Sequence, residues 1–336
     1  MNAVIFAFTE RGIATARRVR EAVGGRIVAP ARLAGADLEA WDGPLSTYVG
    51  RVFGSDALIF VGACGIAVRA VAPHVHSKCD DPAVLCLDEA ARHVIPLLCG
   101  HIGGANRLAR RVSEVLGATP VITTATDVNG RFSVDAWAAE RGWFIGDMAL
   151  AKRVSAAILN GDVPFCADGA GADIALPEGL AWGESGEMGV CVSVYDRHPF
   201  DATLLIVPKA LRIGVGCKRG AGRAAIDALL DGVLRRNHLR PEAVREGATI
   251  DVKRGEPGLM EACRARGWPI EYLSADALRA VPGTFSESDF VRKAVGVGNV
   301  CERAALARGG RLLASKTAEG GVTVAVAALE WGIDFE

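Results

Sequence analysis

The chain has 336 residues, half of them hydrophobic, which is enough for two or three domains with ordinary buried cores. Its 38 basic and 39 acidic side chains nearly cancel, and no Lys/Arg run stands out, so the charge pattern gives no footprint for nucleic acid. The opening MNAVIFAFTERG lacks the basic region and apolar length of a signal peptide, and no run approaches the roughly 20 apolar residues of a membrane helix, so a soluble cytoplasmic protein is expected. The nine cysteines form no CxxC pair and predict buried reduced thiols, not a disulfide framework or a zinc site.

In chain order, the apolar run Ala3–Phe8 predicts a strand and Gly12–Val23 a helix, followed by a Gly/Pro-rich loop over Pro30–Pro44. Ala57–Val61 predicts a strand running into Gly62-Ala-Cys-Gly65 and a helix that must end near Pro73. Ala83–Leu87 and His93–Leu98 predict short buried strands around a polar turn at Asp88-Glu89. Gly103-Gly104 open the helix ANRLARRVSEVLG, whose Leu108, Val112, Val115 and Leu116 share a face, and Pro120–Ile122 is the next strand. Helices are expected at Val134–Glu140 and Ala149–Leu159, and strands at Val190–Tyr195 and Thr203–Val207. After a junction at Lys209–Leu211 the alternation restarts. Strands are expected at Arg212–Val215, Thr249–Val252, Ile270–Leu273, Arg311–Ser315 and Val322–Ala328. Helices are expected at Arg223–Arg236, Gly258–Arg266, near Asp276 and at Val300–Arg308. This predicts a multi-domain α/β protein with mostly parallel sheets flanked by helices in Rossmann-like layers, divided as 1–131, 132–209 and 210–336.

Polar chemistry concentrates in three turns between Gly62 and Gly130. In GACGIAVRAVAPHV, Gly62 and Gly65 allow a tight turn whose N–H groups meet an anion at a helix start, or form a plain strand-to-helix turn. It is neither GxGxxG nor a P-loop. In LLCGHIGGANRLA, glycines flank His101, and a helix N-terminus would keep its ring neutral, suited to general-base work or metal ligation. Asn106 follows in the first helical turn, where it binds substrate or, with the glycines, caps the helix. In VITTATDVNG, Thr123, Thr124, Thr126 and Asp127 crowd a strand end, where Asp127 is either a base or an N-cap. Glu89 adds a carboxylate, although Asp88-Glu89 is most simply a hairpin turn. His74 and His76 beside Lys78 do not make a convincing metal site, and none is expected.

The run GACGIAVRAVAPHVHSKCDDPAVLCLDE, then VIPLLCGHIGGANRLA and ATPVITTATDVNGRF, resembles the amino-terminal domain of the cobalt-precorrin-5A hydrolase (CbiG) family. IGVGCKRG, IDVKRGEPGLMEA and GVGNVCERAAL…LLASKTAEGGVTVAVA resemble the carboxy-terminal domain shared by CbiG and CobE proteins. Four residues depart from the pattern. Ala91 stands where a Gly is expected after the Asp-Glu turn and Arg303 where a Pro usually follows Cys-Glu. Cys64 and Cys99 stand where smaller or hydroxyl residues are common.

The resemblance implies opening of the ring A δ-lactone of cobalt-precorrin-5A by water, release of acetaldehyde, and cobalt-precorrin-5B as product. Cobalt comes inside the substrate, so no separate cofactor is expected. Activated water and oxyanion donors are needed. His101, Asp127 and Glu89 are the catalytic candidates. Backbone N–H groups at Gly62–Gly65 and Gly103–Gly104 are expected to hold the oxyanion or a carboxylate, with Thr123 and Thr124 nearby. Arg69 and Asn106 are expected to pair with peripheral carboxylates, and Lys218, Arg219, Lys316 and Thr323 are further binding candidates in the last domain. The cleft between the first and last domains is the expected location. A corrinoid carrier without hydrolytic activity is the competing reading, and an unrelated sugar-phosphate or nucleotide enzyme has no phosphate motif to support it. The partner is the cobalt-precorrin, with no nucleic acid or membrane; a homodimer is left open.

Overall fold

A computed structural model describes the whole chain apart from Ala34, residues 78–79, 101–102, 125–130 and 170–173, and Glu336. The chain forms two compact units, Met1–Glu140 and Arg141–Glu336.

The first unit runs β1 (Ala3–Ala7), α1 (Glu10–Val23), β2 (Arg26–Pro30), β3 (Glu39–Trp41), α2 (Leu45–Val52), β4 (Ala57–Val61), α3 (Cys64–Val71), β5 (Ala83–Leu87), β6 (His93–Leu98), α4 (Ala105–Leu116), β7 (Thr119–Pro120) and α5 (Val134–Glu140). The sheet order is β3-β2-β1-β4-β5-β6-β7. Strands β1 to β5 are parallel, and β6 turns back antiparallel on β5. β1 is buried on both faces: Ala3, Ile5 and Ala7 enter one core with α1 and α4, while Val4 and Phe6 enter a second with Tyr48, Val49 and Ala67. Such double burial is why the parallel strands read as unbroken apolar runs. β3 lies inside the Pro30–Pro44 stretch expected to be loop, and β2 leads into it; they are short strands on one flank of the sheet, too brief to show a periodicity.

The second unit holds two sheets. The first comprises β8 (Phe144–Ile145), β9 (Val163–Ala167), β10 (Leu180–Trp182), β11 (Met188–Val192) and β12 (Ala202–Val207), with α6 (Met148–Ile158) against it. The other comprises β13 (Leu211–Cys217), β14 (Val244–Ile250), β15 (Ile270–Leu273), β16 (Arg311–Glu319) and β17 (Val322–Ala328), ordered β15-β14-β13-β17-β16. Its helices are α7 (Arg223–Arg236), α8 (Pro257–Ala265), α9 (Ala275–Ala280), α10 (Asp289–Val295) and α11 (Cys301–Leu306). β13 alternates cleanly. Ile213 and Val215 join the core that contains Ile226, Leu230 and Val233 of α7, while Arg212 and Gly214 face α11. α11 packs so close that a Cβ on Gly214 would lie 1.8 Å from the Cys301 carbonyl oxygen, so only glycine fits there.

Candidate functional site

In the first unit the strand directions divide the sequence candidates between two edges of one sheet. Gly62, Gly65 and Glu89 follow the carboxyl ends of β4 and β5. Gly103, Gly104, Thr123 and Thr124 follow β6 and β7, which run the opposite way. β6 alone separates the two edges by about 17 Å at ~3.3 Å per residue. Gly62–Gly65 and Gly103–Gly104 therefore cannot hold the same oxygen, and Glu89 stands apart from the loops that flank His101 and Asp127. His101 and Asp127 themselves, with Thr126, lie outside the described residues.

At the first edge, strand order reverses between β1 and β4, the kind of point where open α/β sheets bind ligands. Thr9 caps α1, accepting from the Gly12 N–H at 3.0 Å and donating to Glu89 Oε1 at 2.6 Å. The Gly62 N–H is committed to the Leu87 carbonyl at 2.8 Å, so Gly62 is not an anion donor. The amides of Cys64 and Gly65, in the first turn of α3, have no intrahelical acceptor. The Arg69 guanidinium folds back to 3.7 Å from where a Gly65 Cβ would be, placing a cation beside those amides.

At the opposite edge, Asn106 is buried and donates to Thr124 Oγ1 at 2.9 Å, while its own N–H bonds the Gly100 carbonyl at 3.0 Å. It ties the two candidate loops together at their described anchors, which explains an Asn there better than a direct substrate contact does. Gly103 must be glycine because a Cβ would lie 2.4 Å from the Cys99 Cβ, and Gly104 is left-handed at φ 74°. Thr123 is exposed beside Thr124.

His74 is a packing residue: its Nε2 lies 2.8 Å from the Ser46 carbonyl and its ring rests on Gly50. Among the described residues no group of three or more His, Cys, Asp or Glu is arranged to hold a metal, and no helix is long and apolar enough to cross a membrane.

In the second unit, Lys218 and Arg219 follow the carboxyl end of β13, exposed. Thr323 pairs with Gly216 across β13 and β17, and its hydroxyl donates to the Gly216 carbonyl at 3.3 Å. Lys316 sits on an irregularity of β16, between the Ala314 and Thr317 pairings. Sequence patterns gave no sign of Glu256 and Glu302. Glu256 accepts from the Gly220 N–H at 2.9 Å and pairs with Lys253 at 3.0 Å. The Gly220 amide, then Lys253, hold its carboxyl below the usual carboxylate pKa range. Its stabilisation is thus present above the unfolded value, about 4.3, and drains as pH falls toward the folded value. The Tm gap between the intact chain and Glu256→Gln is expected to be widest near neutrality and to close below about pH 4. A gap constant across that range would refute the assignment.

Comparison with known proteins follows the same two-part layout. A family model described as Cobalamin synthesis G N-terminal matches residues 48–127, and one described as Cobalamin synthesis G C-terminus matches 211–327. Cobalt-precorrin-5A hydrolase of Salmonella typhimurium is 34% identical over 95% of this chain and 95% of its own length. The chain belongs to the CbiG family. The Priestia megaterium cobalt-precorrin-5A hydrolase is 31% identical over 82% of this chain and 79% of its own. A solved structure of CobE, a protein from the cobalamin (vitamin B12) biosynthetic pathway, is 32% identical over 36% of this chain and 91% of that one, with a TM-score of 0.34.

Two of the departures from the CbiG pattern occupy left-handed backbone: Ala91 at φ 54° and Cys99 at φ 56°. Ala91 closes the β5–β6 hairpin, where the Asp88 carboxylate accepts from the Ala90, Arg92 and His93 amides at 2.8–2.9 Å. An L-residue there costs about 1–2 kcal/mol. Glycine would relieve that, but would lose about 0.4–1 kcal/mol through the unfolded chain and roughly 0.8 from a buried methyl. Ala91→Gly is therefore expected to be neutral within about 0.5 kcal/mol, and Ala91→Val, β-branched at positive φ, to cost about 2 or more. Urea unfolding of both variants checks this. Arg303, in place of the CbiG-family proline, lies over the Phe285 ring at 4.4 Å and donates to the Leu278 carbonyl at 3.2 Å and to Glu287 at 2.8 Å. It fastens α11 to the 278–287 segment.

Proposed function

We propose that this CbiG-family chain is a cobalt-precorrin-5A hydrolase of anaerobic cobalamin synthesis. It adds water to the ring A δ-lactone and releases the two-carbon fragment as acetaldehyde, leaving cobalt-precorrin-5B. The match of nearly the whole chain to a relative of that name, at 34% identity, is the observation that carries the reading. Cobalt enters as part of the substrate, and no separate cofactor takes part.

The reacting lactone belongs at the edge where the loops after β6 and β7 meet. There His101 or Asp127 takes a proton from the attacking water. Backbone amides around Gly103–Gly104 receive the developing oxyanion. Carbon–carbon cleavage at C-20 follows, the macrocycle accepting the electron pair. Arg69, with the Cys64 and Gly65 amides, is assigned to a carboxylate at the opposite edge of the same sheet. The competing carrier reading draws on the exposed basic residues after β13.

Incubating the full chain with cobalt-precorrin-5A separates the two. Acetaldehyde release that scales with protein concentration supports the hydrolase. Tight binding with the tetrapyrrole recovered unchanged overturns it in favour of the carrier.

A further inference from the structure

The second unit contains two buried glutamates that each accept from a backbone N–H at or beside a basic residue, Glu256 while also pairing with Lys253. Glu256 fixes the loop after β13 through the Gly220 N–H, one residue past Arg219 and two past Lys218. Glu302, buried in the first turn of α11, accepts from the Lys316 backbone N–H at 2.9 Å and from the Asn299 side chain at 2.6 Å. The Lys316 amide is available because β16 is irregular at this point, and strand irregularities of this kind re-aim a side chain. Lys218 is also laid down deliberately. Its N–H bonds the Gly321 carbonyl at 2.8 Å, and its stem crosses Gly321 so closely that a Cβ there would lie 2.6 Å from Lys218 Cδ.

The loop after β13 and the irregular stretch of β16 are each fixed by a carboxylate acting on the backbone, while the cationic heads of Lys218, Arg219 and Lys316 make no hydrogen bond or ion pair among the described residues. The same end of the sheet joins them. Lys218 follows Cys217, which pairs with Val322, and Gly216 pairs with Thr323, while Lys316 precedes the Thr317–Val324 pairing. Holding long cations in place without spending their charge is how a protein prepares a site for a ligand's own anions.

We infer that Lys218, Arg219 and Lys316 form a cradle for the peripheral carboxylates of a tetrapyrrole, and that Glu256 and Glu302 are its positioning residues. The inference rests on the substrate class proposed above and names the residues of this unit that would bind it.

The test is titration of the full chain with cobyrinic acid, a cobalt corrin with free acetate and propionate arms, and with cobinamide, its amidated counterpart, at fixed ionic strength. The double variant Lys218→Gln/Lys316→Gln is expected to bind cobyrinic acid at least tenfold more weakly and cobinamide unchanged. Glu256→Ala is expected to reproduce the loss of Lys218→Gln, to add nothing when combined with it, and to be rescued by Glu256→Gln, which keeps an acceptor for Gly220. Equal binding of cobyrinic acid by the intact chain and the double variant would overturn the cradle, as would an intact chain that ignores it. Additive losses without rescue would overturn the positioning role. Acetaldehyde release from cobalt-precorrin-5A, measured on the same preparations, reports separately on the hydrolase reading.

Discussion

Alanine in place of His101 or Asp127 is expected to lower acetaldehyde release from cobalt-precorrin-5A by roughly 10²–10⁴-fold, the range supplied by one positioned base. The two residues belong to segments whose described ends are tied to one another. Asn106 takes the Gly100 carbonyl with its N–H and reaches Thr124 with its amide. A general base contributes to the transition state more than to ground-state binding, so kcat is expected to fall with KM little changed. His101 is also the natural candidate for an axial ligand to the substrate's cobalt. Titration of His101→Ala with the tetrapyrrole, followed in the visible spectrum, distinguishes the roles. A base leaves binding intact, whereas an axial ligand takes binding and spectrum with it. Full turnover in both variants would remove this edge of the sheet from the chemistry.

Arg212→Leu is expected to destabilise the second unit by about 3–5 kcal/mol, the cost of breaking a buried ion pair from one side. Arg212 is fully buried on β13. Its Nε donates to the Ala304 carbonyl at 2.9 Å, and its two terminal nitrogens lie 2.5 Å from Glu246 and Glu271. Removing the guanidinium leaves Glu246 buried next to a like charge, with the Arg308 guanidinium as the cation still near both carboxylates among the described residues. Burial pushes the Glu271 carboxyl up, but Arg212 and then Arg308 outweigh it and hold the pKa below its usual value. Urea unfolding followed by tryptophan fluorescence reads the loss, since Trp143, Trp182, Trp268 and Trp331 all lie in this unit. Arg212→Leu combined with Glu246→Leu is expected to recover part of it. A loss below about 1 kcal/mol for the single variant would show that the network is not the keystone of this face.

Local patterns in the sequence carried much of the fold. The apolar runs at Ala57–Val61, Ala83–Leu87 and His93–Leu98 are strands with those bounds, and the amphipathic stretches at Ala105–Leu116 and Arg223–Arg236 are helices. Family membership was legible too, because the Gly-rich turns at Gly62 and Gly100–Gly104 and the IGVGCKRG run are local strings. The tertiary structure alone decided how those strings meet. The hairpin turn read at Asp88-Glu89 already implied the antiparallel return of β6, but the parallel docking of β7 on β6, which brings Thr124 to Asn106 at the edge away from Glu89, appears only with the pairing. The partners of Glu256 and Glu302 were equally hidden: Gly220 lies 36 residues from Glu256, and Lys316 lies 14 from Glu302. Both contacts are to backbone amides, which every non-proline residue has, so no residue type marks them in advance. What repeats along the chain can be read from the chain, whereas what closes across it depends on which surfaces burial brings together.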